Sequence, residues 1–177
     1  SYPARFMLVA AMNPCPCGNY GSRIKECKCT PSQISRYLSR ISGPLLDRID
    51  IQIEAEEVTY SQIRQEQEEE SSQSIKRRVC AAREIQSRRF EGSACHANSQ
   101  MSSAQMNKFC VLSPQAERLL KNAFNTLKLS ARAYTRVLKL ARTIADLGAS
   151  ERIEDMHVAE AVQYRNLDRK YWQGGGN

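Results

Sequence analysis

The chain has 177 residues, of which 41% are hydrophobic and 25% charged, and its formal net charge is +7. It is long enough for one core or two small units, and no apolar run approaches the roughly 18 residues that a membrane span needs. The positive charge mildly favours polyanionic partners such as nucleic acid or nucleotide.

The first predicted element is a strand near residues 5–11, RFMLVAA, whose unbroken apolar character is typical of a strand buried on both faces. Because it begins almost at the first residue, we expect the chain to be a piece of a larger protein. Asn13 follows it, at the end of the strand where open α/β sheets contact their ligands. An ordinary turn Asn before Pro14 is the alternative that the local sequence favours.

Four cysteines follow within fifteen residues: Cys15, Cys17, Cys27 and Cys29. Their thiolates could converge on Zn²⁺, although C-x-C pairs are unusual in structural zinc sites. Reduced surface thiols and a disulfide or redox switch are the alternatives. The uneven spacing of all seven cysteines indicates a reducing, cytoplasmic setting. Cys80 and Cys110 lie beside apolar residues and are predicted to be buried.

A capping box at Thr30–Gln33 predicts a helix that runs to about Arg40. Ser42, Gly43 and Pro44 then interrupt the chain, and alternating isoleucines predict a strand near 49–54. Arg48 is thereby placed at a rigid junction between a helical turn and a strand. It is either aimed at a ligand or paired with Asp47 or Asp50, and we expect it to be exposed or held by one of these acids.

Residues 59–74 are predicted to be a polar linker, with a short helical turn at 60–64. Helices follow at about 75–90, 102–110, 114–127, 131–147 and 155–165, and Gly148 is expected to be a left-handed C-cap. Arg132 falls in the first turn of the fourth of these helices. Arg132 shares one side of that helix with other cations that recur every three or four residues: Arg136, Lys139 and Arg142. His96 and His157 have no second ligand nearby in sequence and are interpreted as ordinary polar residues.

The predicted fold is mainly α with a small β part. Residues 1–58 form a sheet-derived region, 59–74 the linker, 75–172 a helical bundle and 173–177 a flexible tail. No phosphate-binding G-x-x-x-x-G-K-[ST] loop and no nucleophile motif occurs, so the chain alone carries no complete catalytic constellation.

Four segments closely resemble the magnesium-chelatase-like AAA+ ATPases of the bacterial ComM/YifB group: LVAAMNPCPCG, CTPSQISRYLSRISGPLLDRIDIQIE, LSARAYTRVLKLARTIADL and HVAEAVQYR. The resemblance covers nearly the whole chain. It implies the C-terminal part of an αβα ATPase core followed by a helical lid, in a hexameric ring that uses ATP and Mg²⁺. The Walker A and Walker B elements would lie before Ser1, so this part alone should not hydrolyse ATP.

The resemblance also implies residue roles. Asn13 matches sensor 1, which orients the attacking water; Arg48 matches the arginine finger that reaches the γ-phosphate of a neighbouring subunit; Arg132 matches the sensor 2 arginine of the lid. Chelatase subunits proper lack the cysteine-rich insertion, which favours the ComM-like role of ATP-driven DNA branch migration. A chelatase-type ATPase acting on a protein or porphyrin partner is one alternative. A zinc-stabilised nucleic-acid-binding module without enzymatic activity is another.

Overall fold

A computed structural model describes residues 6–55, 57, 58, 60, 64 and 70–165. The described part contains the α-helices α1 Pro31–Leu38, α2 Gly43–Leu46, α3 Ser72–Arg89, α4 Ser103–Phe109, α5 Pro114–Leu127, α6 Ala131–Leu147 and α7 Asp155–Gln163. A 3₁₀ turn, Asn98–Gln100, lies between α3 and α4. The predicted mainly α fold class is confirmed. None of the helices described is both long and apolar enough to cross a bilayer.

Local capping chemistry sets the helix starts. The Ser113 and Ser130 hydroxyls accept the backbone N–H groups of Ala116 and Ala133 at 3.2 and 3.1 Å, which confirms the predicted starts of α5 and α6. Helix α3 begins three residues before the predicted position, because the Ser71 hydroxyl accepts the Ser74 N–H at 3.2 Å. Most of the predicted linker 59–74, the helical turn inside it and the tail 173–177 lie outside the described residues.

The apolar core of the molecule lies in the helical bundle, residues 72–165. Helices α5, α6 and α7 pack together through most of their predicted apolar stripes, although Phe124 is 39% exposed; the best-buried predicted members include Leu120, Val137, Ala141 and Val158. A single parallel bridge between Leu112 and Ile153 aligns the starts of α5 and α7. Among the described residues, every member of this core lies in or after α3.

A buried charge network fixes α3 to α6. The Asp146 carboxylate, which is 2% exposed, accepts hydrogen bonds from Arg89 at 2.5 and 2.6 Å and from Arg142 at 3.1 Å. Arg142 also donates to the carbonyls of Ser150 and Glu151, so the charges are both paired and hydrogen-bonded.

Three of the four cations that the sequence places along one side of α6 contact other parts of the chain. Arg142 is buried in the charge network, Lys139 donates to the Ser99 carbonyl at 2.9 Å, and Arg136 pairs with Asp50. The 3.6-residue period placed these cations on one side correctly. That side faces other parts of the chain, so Arg132 alone of the four remains exposed.

The two predicted strands are not formed in the described residues: 6–11 and 49–54 have no regular secondary structure. Phe6–Val9 are 62–88% exposed instead of buried. A strand is defined by backbone hydrogen bonds to a neighbouring strand, and none of the described residues provides one. The apolar patterns at 6–11 and 49–54 therefore indicate segments that would pack against a partner surface, and residues 6–55 do not supply that surface.

Two smaller predictions are corrected. Gly148 has φ −86° and is not left-handed; among the described residues, the non-glycine residues with positive φ are Lys128 at the end of α5, with φ 48°, and Ala149, with φ 51°. Cys80 is exposed and lies in the first half of α3, where no residue is buried, whereas Cys110 is buried as predicted. Burial raises the pKa of the Cys110 thiol to about 11, so this side chain is an inert apolar group at neutral pH.

Candidate functional site

Asn13 lies at the start of the cysteine-rich loop and is exposed. Gly18, whose φ of +82° favours glycine, brings the loop back towards it, so that a methyl group at Gly18 would lie 3.8 Å from the Asn13 amide. A hydrogen bond from the Gly18 N–H to the Cys15 carbonyl, 3.0 Å long, closes this turn. The conformation of the loop thus determines what surrounds Asn13.

The four clustered cysteines converge as the sequence predicts. Their sulfur atoms all lie within 4.8 Å of one another, and three of the separations are 3.4 Å (Cys15–Cys17), 3.7 Å (Cys15–Cys27) and 3.6 Å (Cys17–Cys27). A tetrahedral Zn²⁺ with Zn–S bonds of about 2.3 Å places its sulfurs about 3.8 Å apart. A disulfide requires about 2.05 Å, and all four cysteines are free. The arrangement fits a metal ion.

The electrostatics of the cluster agree with a metal centre. Backbone N–H groups of Asn19 and Lys28 donate to the Cys17 sulfur and lower its pKa to about 6, so it is a thiolate at neutral pH. Desolvation and the neighbouring sulfurs raise the pKa of Cys29 to about 12. Four sulfurs packed this closely cannot all ionise without a cation among them. A divalent ion would offset the repulsion among the four thiolates and be coordinated by them.

An open cleft of about 350 Å³ lies between the cysteine-rich loop and α1. Pro16, Cys17, Lys28 and Cys29 form one wall, and the other is a single stripe of α1 and its C-terminal extension, Gln33, Arg36, Tyr37 and Arg40. Lys28, Arg36 and Arg40 are exposed, and no hydrogen bond or ion pair among the described residues engages their side chains. No carboxylate lines the cleft, so its potential favours an anion.

Arg48 follows the short helix α2. Its side chain is exposed, as expected, and its guanidinium donates to the Pro44 carbonyl at 2.6 Å. The sequence left open a pairing with Asp47 or Asp50, and neither pairing is present in the structure. Arg48 is therefore a surface cation without a carboxylate partner among the described residues.

Both acids beside Arg48 are bound to the helical bundle instead. The Asp47 carboxylate accepts the Ser130 hydroxyl at 3.2 Å and Arg165 at 3.3 Å. Asp50 pairs with Arg136 of α6. Arg165 donates in addition to the Ile49 carbonyl at 2.7 Å, which fixes the backbone between the two acids.

Arg132 lies in the first turn of α6, two residues after Ser130. It is exposed, and no ion pair among the described residues includes it. Because Ser130 donates to Asp47, the beginning of α6 and Arg48 belong to the same junction. Arg48 and Arg132 thus lie one and two residues from the two partners of the Asp47–Ser130 hydrogen bond, whereas no hydrogen bond among the described residues joins Asn13 to either of them.

Sequence reasoning missed the contributions of Arg136 and Arg165 and the cationic cleft. Arg136 was placed only among the cations along one side of α6, and Arg165 was treated only as a helix end. The two acids near Arg48 give only a weak sequence signal for these ion pairs, because their partners, Arg136 and Arg165, are distant in sequence. Along α1, the i, i+3, i+4, i+7 spacing of Gln33, Arg36, Tyr37 and Arg40 could have revealed a polar stripe.

Two family models match the chain. The model described as magnesium chelatase, subunit ChlI, matches residues 1–63, and the one described as magnesium chelatase, subunit ChlI C-terminal, matches residues 69–165. The chain belongs to the magnesium-chelatase-like family. The first match contains Asn13, the cysteine cluster and Arg48, and the second contains Arg132, so the family covers every candidate residue.

Curated relatives agree with this family assignment. The chain is 43% identical over 170 residues to an uncharacterized protein, YifB, of Salmonella typhimurium, covering 96% of this chain and 32% of that protein. It is 41% identical over 169 residues to the competence protein ComM of Haemophilus influenzae, with 95% and 32% coverage. An uncharacterized protein of Mycobacterium tuberculosis is 33% identical over 164 residues, with 93% and 32% coverage. The chain therefore spans about a third of the length of the curated relatives it matches.

Proposed function

We propose that the chain supplies the nucleotide-sensing and lid part of a cytoplasmic AAA+ ATPase that remodels DNA. Residues 1–58 are the C-terminal part of the ATPase core, 59–74 the linker and 75–172 the lid. The full-length protein forms a hexameric ring and binds ATP with Mg²⁺ between subunits. Membership of the magnesium-chelatase-like family supports this assignment.

The observation that carries the proposal is the exposed, carboxylate-free Arg48. An arginine finger stabilises negative charge that develops on the transferred phosphoryl group, and it can do so only if its own charge is not already neutralised. The bundle occupies both acids beside Arg48, so its charge remains available. We assign its target as the γ-phosphate of ATP bound by the neighbouring subunit.

Asn13 and Arg132 are the other two residues proposed to act at the nucleotide. Asn13 has an exposed amide that can hold a water molecule in line with the γ-phosphate, as sensor 1 does. Arg132, exposed in the first turn of α6, acts as sensor 2. Its location at the junction with Arg48 supports a role in reporting nucleotide state to the same region.

The cysteine cluster holds a structural Zn²⁺ through Cys15, Cys17, Cys27 and Cys29. The sulfur separations, close to a tetrahedral edge, support this assignment. When bound, the ion cross-links both ends of a loop that carries no core of its own. The loop then holds Gly18 against Asn13 and forms one wall of the cationic cleft.

DNA is the proposed substrate. The cleft supports this choice, because three cations without carboxylate partners can follow a phosphate backbone while Tyr37 offers a face on which a base can stack. One relative is named for competence, although that name describes the Haemophilus protein. The net charge of +7 is in keeping with a polyanionic partner.

Replacing Arg48 by Ala in the full-length protein tests the ATPase assignment. We expect kcat for ATP hydrolysis to fall by about 10³-fold or more while nucleotide binding is preserved, since a finger acts on the transition state. Arg118→Ala is the matched control, because Arg118 is an exposed arginine of α5 remote in sequence from both junction segments. Turnover by Arg48→Ala at the rate of the control would refute the proposal.

A further inference from the structure

We propose that Asp47 and Asp50 are positioning residues that exchange partners between the helical bundle and Arg48. When the bundle is docked, its cations occupy both carboxylates and Arg48 is free to bind a phosphate. When the bundle moves away, the carboxylates are released and neutralise Arg48. The inference rests on the proposed function of Arg48 and assigns a means by which the lid controls it.

The contacts are concentrated in a very short segment. Within residues 47–52, Asp47 binds Ser130 and Arg165, Ile49 accepts from Arg165, and Asp50 pairs with Arg136. The Gln52 N–H completes the set by donating to the Tyr164 carbonyl at 3.1 Å. All of these partners lie in α6 or at the end of α7. The segment that carries Arg48 is therefore held by the bundle from both ends.

The two acids differ in how firmly they are held. The Arg165 side chain is 2% exposed and reaches both a carboxylate and a backbone carbonyl, so it anchors the segment. The Arg136–Asp50 pair is open to solvent, with side chains 28% and 58% exposed. Exposed ion pairs are weak and easily exchanged. The Asp50 pair is consequently the contact that a small rotation of the bundle would break first.

Once released, the acids have a cation beside them in sequence. Asp47 precedes Arg48 directly and Asp50 follows two residues later, so both carboxylates belong to the same four-residue segment as the guanidinium. An arginine already paired with a carboxylate contributes less to phosphate stabilisation than a free one. The Arg48 guanidinium can therefore bind phosphate when the bundle is docked and is neutralised when the bundle is undocked. These are the two states that a switch requires.

A charge reversal in the full-length protein tests this exchange. Arg136→Asp removes the cation of α6 that pairs with Asp50. We expect kcat to fall about tenfold, while the Kd for nucleotide and the KM for ATP stay within about twofold. The double variant Arg136→Asp with Asp50→Arg restores an ion pair and should recover most of kcat, as a coupled pair does in a double-mutant cycle. Arg136→Asp combined with Asp50→Asn removes the released carboxylate and should likewise recover most of the kcat that Arg136→Asp loses, because Arg48 then has no Asp50 charge to bind.

The control is another exposed ion pair, Arg78–Glu70, whose side chains are 55% and 42% exposed and whose nitrogen–oxygen distance is 2.5 Å. Arg78→Glu should leave kcat unchanged. If Arg136→Asp keeps the kcat of this control, or if the double variant is no better than the single one, the exchange is refuted. If Arg136→Asp unfolds, Arg136→Gln, which also releases Asp50, replaces it, and an unchanged kcat there overturns the exchange. Active Arg48→Ala would instead refute the proposed function itself.

Discussion

The helical bundle and the region before it are held together in different ways. The bundle, residues 72–165, contains the apolar core and a buried charge network of its own. Among the described residues 6–58, only three apolar side chains are buried: Cys15, Leu38 and Leu46. The first region is instead organised by four converging sulfurs and by contacts from the bundle to the Arg48 segment.

The difference teaches where function can be adjusted. A core of interlocking helices changes its geometry only at high cost, whereas a loop and a segment fixed by a few polar contacts can move between states. Each candidate functional residue lies either in the weakly cored region or at its contact with α6. The comparison therefore predicts that the two regions can be disrupted separately.

The largest effect is expected at the metal centre. Purified chain kept under reducing conditions should contain about one equivalent of zinc, and Cys15→Ser should abolish it, since four-coordinate structural zinc needs every thiolate. Elemental analysis measures this directly. The urea midpoint of the bundle should not change, because no cysteine of the cluster contributes to its core.

Cys80→Ser is the matched control for the metal centre. Cys80 is an exposed free thiol on α3 and should be replaced without loss of zinc. A wild-type chain that holds no zinc, or a Cys15→Ser variant that retains it, would contradict the assignment.

The next largest effect is expected within the bundle. Asp146→Ala leaves Arg89 and Arg142 with buried, uncompensated charge, and the free energy of unfolding should fall by about 3–5 kcal/mol. Urea denaturation followed by circular dichroism measures this loss. Glu70→Ala removes an exposed acid from an ion pair and should leave stability unchanged. Equal stability of the two variants would contradict the stabilising role of the charge network, and loss of zinc from folded Asp146→Ala would show that the regions are not separable.

A smaller effect is expected on DNA binding. In the full-length protein, Arg36→Ala with Arg40→Ala should weaken the affinity for a single-stranded oligonucleotide about tenfold and reduce the salt slope by about 1.4, the value for two lost phosphate contacts. Fluorescence anisotropy over a salt series provides both quantities. Arg118→Ala with Lys121→Ala removes two exposed cations from α5 and should change neither. Equal losses in both variants would indicate non-specific attraction without a role for the cleft.

The bundle could be predicted well from the sequence because its determinants are local. Serine caps and the 3.6-residue apolar period located α5 and α6 to the residue. The convergence of the four cysteines was also predictable, since a short loop brings the pairs together.

The rest depended on contacts between distant residues. The strands near 5–11 and 49–54 need backbone partners that the described residues do not include, and the apolar pattern alone cannot show that they are missing. Arg136 and Arg142 have the same spacing as Arg132, yet one binds Asp50 and the other is buried beside Asp146. Periodicity identifies the side of a helix and leaves undetermined what that side meets.

The most direct test of the central claim is complementation between two inactive subunits of the full-length protein. Arg48→Ala subunits retain Asn13 beside their own nucleotide, and Asn13→Ala subunits retain the finger for a neighbour. In differently tagged mixed rings purified through both tags, about a quarter of head-to-tail interfaces should combine both intact residues. We predict that each variant alone is nearly inactive and that mixed rings regain a matching fraction of ATPase activity. Mixed rings as inactive as either parent would contradict the assignment of Arg48 as a finger acting across subunits.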